Sequence, residues 1–164
     1  MQLRSIADVV LVGSGTASGE GYGPPGKTGQ RIGVVTRSGS VDTGSALFTS
    51  GAGFVVTTTR ASVDDGVDVL RCGDDEVDLA QALRRIPELC PGAAVVQAEG
   101  GPTLNGALAD ADLLDELDIT TSPGIVGGGG PRLVSGADDV TRRFELVQLG
   151  VDDSFVFTRW RRNR

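Results

Sequence analysis

The sequence contains no histidine. That absence excludes Ser-His-Asp and Cys-His catalytic arrangements, HExxH zinc sites and histidine-based proton transfer. Cysteine is scarce as well: Cys72 and Cys90 show no CxxC spacing, so we expect two buried free thiols in a reducing cytoplasm. A chain without histidine that still catalyses a reaction is expected to obtain its chemistry from a bound cofactor.

Long apolar runs and basic clusters are also missing. No stretch approaches the ~18 apolar residues that span a bilayer, and the N-terminus shows no signal-peptide pattern, so we expect no membrane association. The formal net charge is −7, and basic residues cluster only at 159–164, which argues against a nucleic-acid partner. The acidic pairs lack the spacing of a calcium loop, and no metal site is predicted. A single domain over residues 1–164 is expected.

Apolar strands alternate with helical segments along the chain. The pattern predicts strands at 8–13, 31–36, 54–59, 67–72, 93–98 and 118–122. It predicts helices at 74–89 and roughly 104–111, with 113–117 continuing or restarting the second. Residues 17–30 are rich in glycine and proline and predict a surface loop rather than a helix.

In the C-terminal part of the sequence, the alternation of strands and helices gives way to two strand-like segments. Segments 144–149 and 155–160 flank a Gly-Val-Asp-Asp turn, which predicts a β-hairpin. Taken with the alternation before it, this predicts an α/β fold with a mostly parallel mixed sheet, flanked by helices and ending in an antiparallel hairpin.

Glycine turns follow two of the predicted buried strands. The segment 99–104 (EGGPTL) brings two glycines to the start of a helix, where free N–H groups and the helix dipole can receive an anion. The segment 13–16 (GSGT) repeats this arrangement. Since parallel strands end at one edge of a sheet, both turns are expected to border one ligand crevice. The pattern alone also fits plain tight turns with helix caps.

Arg37 follows the strand at 31–36. A guanidinium there can bind the 2′-phosphate that distinguishes NADPH from NADH, although a solvated surface arginine fits the pattern equally well. The four glycines at 127–130 fit either a phosphate-wrapping loop or a flexible one.

These motifs resemble the reductase domain of the bifunctional riboflavin-biosynthesis deaminase/reductase. The resemblance covers essentially the whole chain and is carried by 3–16 (LRSIADVVLVGSGT), Glu20, 99–104, 113–117 (LLDEL) and the loop 122–130. It implies a dihydrofolate-reductase-like fold, a homodimer, and NADPH-dependent reduction of a ribosylaminopyrimidine phosphate, as in 5-amino-6-(5-phosphoribosylamino)uracil reductase.

Pattern and resemblance together give the candidate residues, and neither identifies a catalytic one. The candidate cofactor-binding residues are Gly13, Gly15, Thr16, Glu20, Arg37, Gly100, Gly101, Pro102, Thr103 and Leu104. The candidate substrate-binding residues implied by the resemblance are Glu99 and Lys27.

One family element is not found in this sequence. Family members begin with a strand carrying a Ser-x-Asp-Gly segment and a helix, and both line the substrate site. This sequence begins inside the helix before the second family strand, so we expect one central strand to be missing unless another segment or a partner chain supplies it. The alternatives to the leading hypothesis are therefore a non-catalytic NADP(H)-binding paralogue and a dihydrofolate-reductase-like enzyme.

Overall fold

The computed structural model describes residues 3–130 and 132–163. A 3-10 turn at Leu3–Ser5 precedes the first strand. The strands are β1 (Val9–Gly13), β2 (Arg31–Val35), β3 (Gly53–Thr57), β4 (Val69–Arg71), β5 (Val96–Ala98), β6 (Glu116–Thr121), β7 (Phe144–Asp152) and β8 (Phe155–Arg162). The helices are α1 (Ser14–Glu20), α2 (Ala46–Thr49), α3 (Leu79–Leu89) and α4 (Pro102–Asp110).

The first five strands form one parallel sheet in the order β4-β3-β2-β1-β5. Val9 in β1 pairs with Arg31 on one side and with Val96 on the other. The strands β1 and β3 are buried along almost their whole length because helices cover both faces of a parallel sheet. The core against α3 and α4 includes Val9, Leu11, Phe54, Val56, Ile86 and Leu104. The core on the opposite face consists of Val10, Val12, Ile32, Val34 and Leu47.

The last three strands form a separate antiparallel sheet in the order β6-β8-β7. The predicted C-terminal hairpin is confirmed, with Asp153 and Ser154 at its turn in the left-handed region (φ 44° and 66°). The hairpin pairs with β6 rather than extending the parallel sheet. Its apolar side chains Leu146, Leu149 and Val151 are exposed.

Two secondary-structure predictions are wrong, one of a loop and one of a helix. Residues 17–30 do not form a loop throughout, because α1 covers Ser14–Glu20 and ends at Gly21, whose φ is 64°. Ala17 packs against the core beside α2, and this tertiary contact outweighs the low helix propensity of glycine. Residues 113–117 form no helix: Asp112 has a φ of 52°, α4 ends at Asp110, and β6 begins at Glu116.

The third helix begins later than predicted. Asp78 is its N-cap and accepts a hydrogen bond from the Gln81 backbone N–H at 2.8 Å. The Asp78 backbone N–H donates to the Cys72 carbonyl at 3.1 Å, so the acidic residues 74–76 lie in the turn before the helix. The helix therefore starts at Leu79.

The strands β5 and β6 each lie at one edge of their sheet. Within residues 3–130 and 132–163, β5 pairs only with β1, and β6 pairs only with β8. No other segment of the described ranges supplies a strand beside β5. In the same ranges, no helix is long and apolar enough to cross a membrane.

Candidate functional site

The two glycine turns meet at the carboxyl edge of the parallel sheet. The Gly13 backbone N–H donates to the Gly100 carbonyl at 2.6 Å. A Cβ placed on Gly13 would lie 3.5 Å from the Gly101 nitrogen. This proximity follows from the topology, because β1 and β5 are parallel neighbours and end side by side.

Gly101 and Thr16 lie in close contact. A Cβ on Gly101 would lie 2.7 Å from Thr16 Oγ1, and no other heavy atom outside its chain neighbours would lie within 4 Å of it. Gly101 is the N-cap of α4 and has no side chain to cap the helix. The backbone N–H groups of Thr103 and Leu104 in the first turn therefore receive no cap from it. A hydroxyl beside the N–H groups that begin a helix is a combination that suits a phosphate group.

The other candidate cofactor-binding residues near the two glycine turns differ in conformation and exposure. Gly100 has a φ of 85°, which favours glycine. Pro102 occupies the first helical turn, where its missing N–H costs no hydrogen bond. The Leu104 side chain is buried in the core, so only its backbone can face a ligand. Gly15 and Glu20 are exposed on α1.

Glu99, just after β5, is the centre of a hydrogen-bond network. Its Oε1 accepts from Arg4 Nε at 2.6 Å and from Gln97 Nε2 at 2.9 Å. Its Oε2 accepts from Arg4 Nη2 and, at 2.7 Å, from the Tyr22 hydroxyl. The Arg4 guanidinium lies over the Tyr22 ring, 5.1 Å from its centre. The carboxylate is thus joined to the N-terminal 3-10 turn and to the segment after α1.

This environment keeps Glu99 ionised. Burial alone would raise the pKa of its carboxyl, but hydrogen bonds from Arg4 and Tyr22, with the positive charge of Arg4, bring it below the ordinary value. Burial, the hydrogen bond to Glu99 and the charge of Glu99 raise the pKa of the Tyr22 phenol. At neutral pH, Glu99 is therefore an acceptor and Tyr22 a donor.

A cavity of about 620 Å³ lies beside this network. It is lined by Leu3, Arg4, Ser5, Gly26, Lys27, Gln30 and Gln97. Lys27 Nζ donates to the Ala7 carbonyl at 2.7 Å and lies 3.5 Å from Asp8 Oδ1. The structure thus connects both predicted substrate residues to one cavity: Lys27 lines it directly, and Glu99 binds its lining residues Arg4 and Gln97.

A smaller cavity, of about 280 Å³, follows β2 and β3. It is lined by Ser38, Gly39, Ser40, Val41, Thr43, Ser62 and Asp64. Arg37 is not among its lining residues; its Nη1 instead binds Glu76 Oε1 at 2.9 Å, and both side chains are largely exposed. The predicted 2′-phosphate residue therefore lies beside a hydroxyl-rich cavity but is paired with a carboxylate.

Sequence reasoning did not assign a role to Arg4, Tyr22 or Gln97. Arg4 lies within the segment 3–16, but the sequence does not show that it contacts Glu99, which lies 95 positions away. Tyr22 lies in the glycine-rich segment, where nothing in the pattern predicts contact with Glu99. Within residues 3–130 and 132–163, no group of three or more potential metal-binding side chains occurs.

Comparison with known proteins agrees with this architecture. The family described as the RibD C-terminal domain matches residues 1–156. A curated relative is 28% identical over 89 residues, which is 54% of this chain and 40% of the relative. It is the 2,5-diamino-6-ribosylamino-4(3H)-pyrimidinone 5′-phosphate reductase of Methanothermobacter thermautotrophicus. The chain therefore spans less than half the length of that relative.

Solved structures share the fold. A pyrimidine reductase-like protein from Corynebacterium diphtheriae superposes with a TM-score of 0.83 at 23% identity, covering 99% of this chain and 79% of that one. A dihydrofolate reductase from Enterococcus faecalis, complexed with NADP(H), superposes with a TM-score of 0.52 at 17% identity, covering 95% and 74%. These similarities confirm the predicted dihydrofolate-reductase-like α/β fold.

Proposed function

Since the chain belongs to the RibD C-terminal domain family, we propose that it is an NADPH-dependent reductase of the riboflavin pathway that acts on a ribosylaminopyrimidine phosphate. The observation that carries the proposal is the close approach of the Thr16 hydroxyl to Gly101 at the start of α4, two positions after Glu99, whose partner Arg4 lines the larger cavity. The name of the archaeal relative and the NADP(H) in the dihydrofolate reductase structure support the same assignment. A homodimer in the cytoplasm is part of the proposal.

The glycine turns hold the cofactor in this proposal. The Thr16 hydroxyl and the N–H groups of Thr103 and Leu104 donate hydrogen bonds to its pyrophosphate. Arg37, beside the cavity after β2, would hold the 2′-phosphate if its guanidinium released Glu76. When bound, the cofactor supplies hydride for the reduction.

The cavity beside Glu99 holds the substrate. Arg4 and Lys27 contribute two positive charges to its lining, which suits a sugar phosphate. The ionised carboxylate of Glu99 orients the substrate through Arg4, whose guanidinium it binds at the edge of the cavity. Because that group is not a proton donor at neutral pH, the protons of the reaction come from water in this proposal.

Turnover is the direct test. The folded protein is expected to oxidise NADPH in the presence of a ribosylaminopyrimidine phosphate, followed as loss of NADPH absorbance. The non-catalytic alternative is an NADP(H)-binding paralogue of the family. It predicts NADPH binding by calorimetry and no hydride transfer. A folded protein that binds NADPH but never oxidises it would replace the first proposal by the second.

Arg37→Ala is expected to weaken NADPH binding much more than NADH binding. A lost charged hydrogen bond corresponds to roughly 1–3 kcal/mol, so the NADPH dissociation constant should rise about 5- to 150-fold. Calorimetric titration with both cofactors measures the difference. Arg60→Ala is a matched control, because Arg60 forms a similarly exposed ion pair with Asp75. Equal losses for both cofactors would remove Arg37 from this role.

A further inference from the structure

The acceptor capacity of the Glu99 carboxylate is already used within the chain. An ionised carboxylate offers about four lone-pair positions. Two donors from Arg4, one from Tyr22 and one from Gln97 approach the two oxygens of Glu99. The Glu99 side chain is only 14% exposed. A substrate donor can therefore bond Glu99 strongly only by displacing one of these groups.

Arg4, in contrast, retains donor capacity toward the cavity. Its bonds to Glu99 use Nε and Nη2, and no hydrogen bond from Nη1 occurs among the described residues. Arg4 lines the cavity, and its side chain is 51% exposed. Glu99 thus acts on a cavity ligand mainly by fixing the guanidinium that faces it.

Tyr22 contacts both members of this pair. Its hydroxyl donates to Glu99 Oε2 at 2.7 Å, and its ring lies beneath the Arg4 guanidinium at 5.1 Å. A cation over an aromatic face is attracted to it and loses freedom of orientation. Tyr22 itself is held by a backbone hydrogen bond from its N–H to the Ala17 carbonyl at 3.2 Å, at the end of α1.

We propose that Tyr22 is a positioning residue that fixes Arg4 and Glu99 in one orientation, so that Arg4 presents its free N–H groups to a phosphate monoester in the cavity. The assignment rests on the proposed function, because it concerns the phosphate of that substrate. It adds a residue from the glycine-rich segment after α1 to the substrate side of the site. Lys27 provides the second charge at the same cavity.

Protonation of Glu99 should weaken this arrangement. Arg4 and Tyr22 are the ionisable groups that contact Glu99, and its other partner, Gln97, is neutral. The negative charge of Glu20, at the end of α1, contributes to raising the pKa of Tyr22. Because hydrogen bonds to the ionised form lower a carboxyl pKa, removing the Tyr22 hydroxyl should raise that of Glu99. Phosphate binding should then begin to fall at a higher pH as the solution is acidified.

The test compares the wild type with Tyr22→Phe, which keeps the ring and removes the hydroxyl. Calorimetry with ribose 5-phosphate, and separately with inorganic phosphate, should show affinity about 5–10-fold weaker at neutral pH for a lost charged hydrogen bond. The acidic limb of the binding curve should move to higher pH, and NADPH affinity should be unchanged. Tyr22→Leu, which also removes the ring, should lose more.

Thr59→Val is the matched control, because it removes a hydroxyl bond to a carboxylate, Asp74, on another surface. It should leave ribose 5-phosphate binding unchanged. A carbon-13 NMR titration of the Glu99 carboxyl gives a readout independent of any ligand, and its midpoint should rise in Tyr22→Phe. An unchanged midpoint, or unchanged ribose 5-phosphate affinity and pH dependence in the folded variant, overturns the assignment.

The two hypotheses fail in different ways. A wild type that binds neither ribose 5-phosphate nor inorganic phosphate at any pH overturns the substrate half of the proposed function, and with it the ligand role of Tyr22. A wild type that binds ribose 5-phosphate, with a variant that binds it equally, overturns the Tyr22 assignment alone.

Discussion

Replacing Gly101 by valine should lower NADPH affinity by at least about 100-fold, a loss of about 2.7 kcal/mol. The backbone is not the obstacle, since Gly101 has a φ of −71°, which valine adopts readily. The added side chain would instead enter the space beside Thr16, where its Cβ would lie 2.7 Å from Oγ1. A phosphate could then no longer approach the start of α4. Calorimetric titration with NADPH measures the effect.

Gly150→Val is the matched control for this variant. Gly150 lies in β7 of the second sheet, and a Cβ there would meet no heavy atom within 4 Å. The same side chain is therefore added without filling the candidate site, and NADPH affinity should be retained. If folded Gly101→Val protein bound NADPH as the wild type does, the turn would be only structural, and the cofactor half of the proposed function would be lost.

The parallel sheet could be predicted because its strands are buried on both faces. Segments such as 8–13 (DVVLVG) and 54–59 (FVVTTT) are then rich in apolar and β-branched residues, as is typical of buried parallel strands. The ends of the helices were harder to predict, because single residues determine where each helix begins or ends. Asp78 starts α3 by capping it, and the left-handed φ of Asp112 separates α4 from β6. Neither effect changes the apolar periodicity from which the helices were predicted.

The candidate site was predictable to the extent that topology determines it. The turns at 13–16 and 99–104 were expected to meet because parallel strands end at one edge, and they do meet. The role of Tyr22 could not be derived in this way. It lies 77 positions from Glu99 in the chain, and only the path of the segment after α1 brings its hydroxyl to that carboxylate. The ion pair between Arg37 and Glu76 could not be predicted either, because the order of residues in the sequence does not show that the two side chains meet.

The stability of the parallel sheet should depend strongly on Phe54. Its side chain is fully buried in β3, within the core that α3 and α4 cover. Phe54→Ala should therefore reduce the free energy of unfolding by about 3–5 kcal/mol. Since a domain of this size has only about 5–15 kcal/mol in total, the variant should be close to unfolding at room temperature. Urea denaturation followed by circular dichroism measures the loss.

Two further variants test whether the loss of stability in Phe54→Ala comes from core packing or from removal of any aromatic ring. Phe157→Ala removes a ring that is 43% exposed on β8, and should cost about 1 kcal/mol or less; a loss equal to that of Phe54→Ala would contradict the core assignment.

Gly33→Ala tests the contact between Gly33 and the Phe54 ring, because its Cβ would lie 2.6 Å from Phe54 Cζ and 2.7 Å from Leu11 Cδ2. Gly33→Ala should destabilise the wild type and cost clearly less in the Phe54→Ala background, since the ring is then absent. Additive effects in this double-mutant cycle would mean that Gly33 does not make room for Phe54.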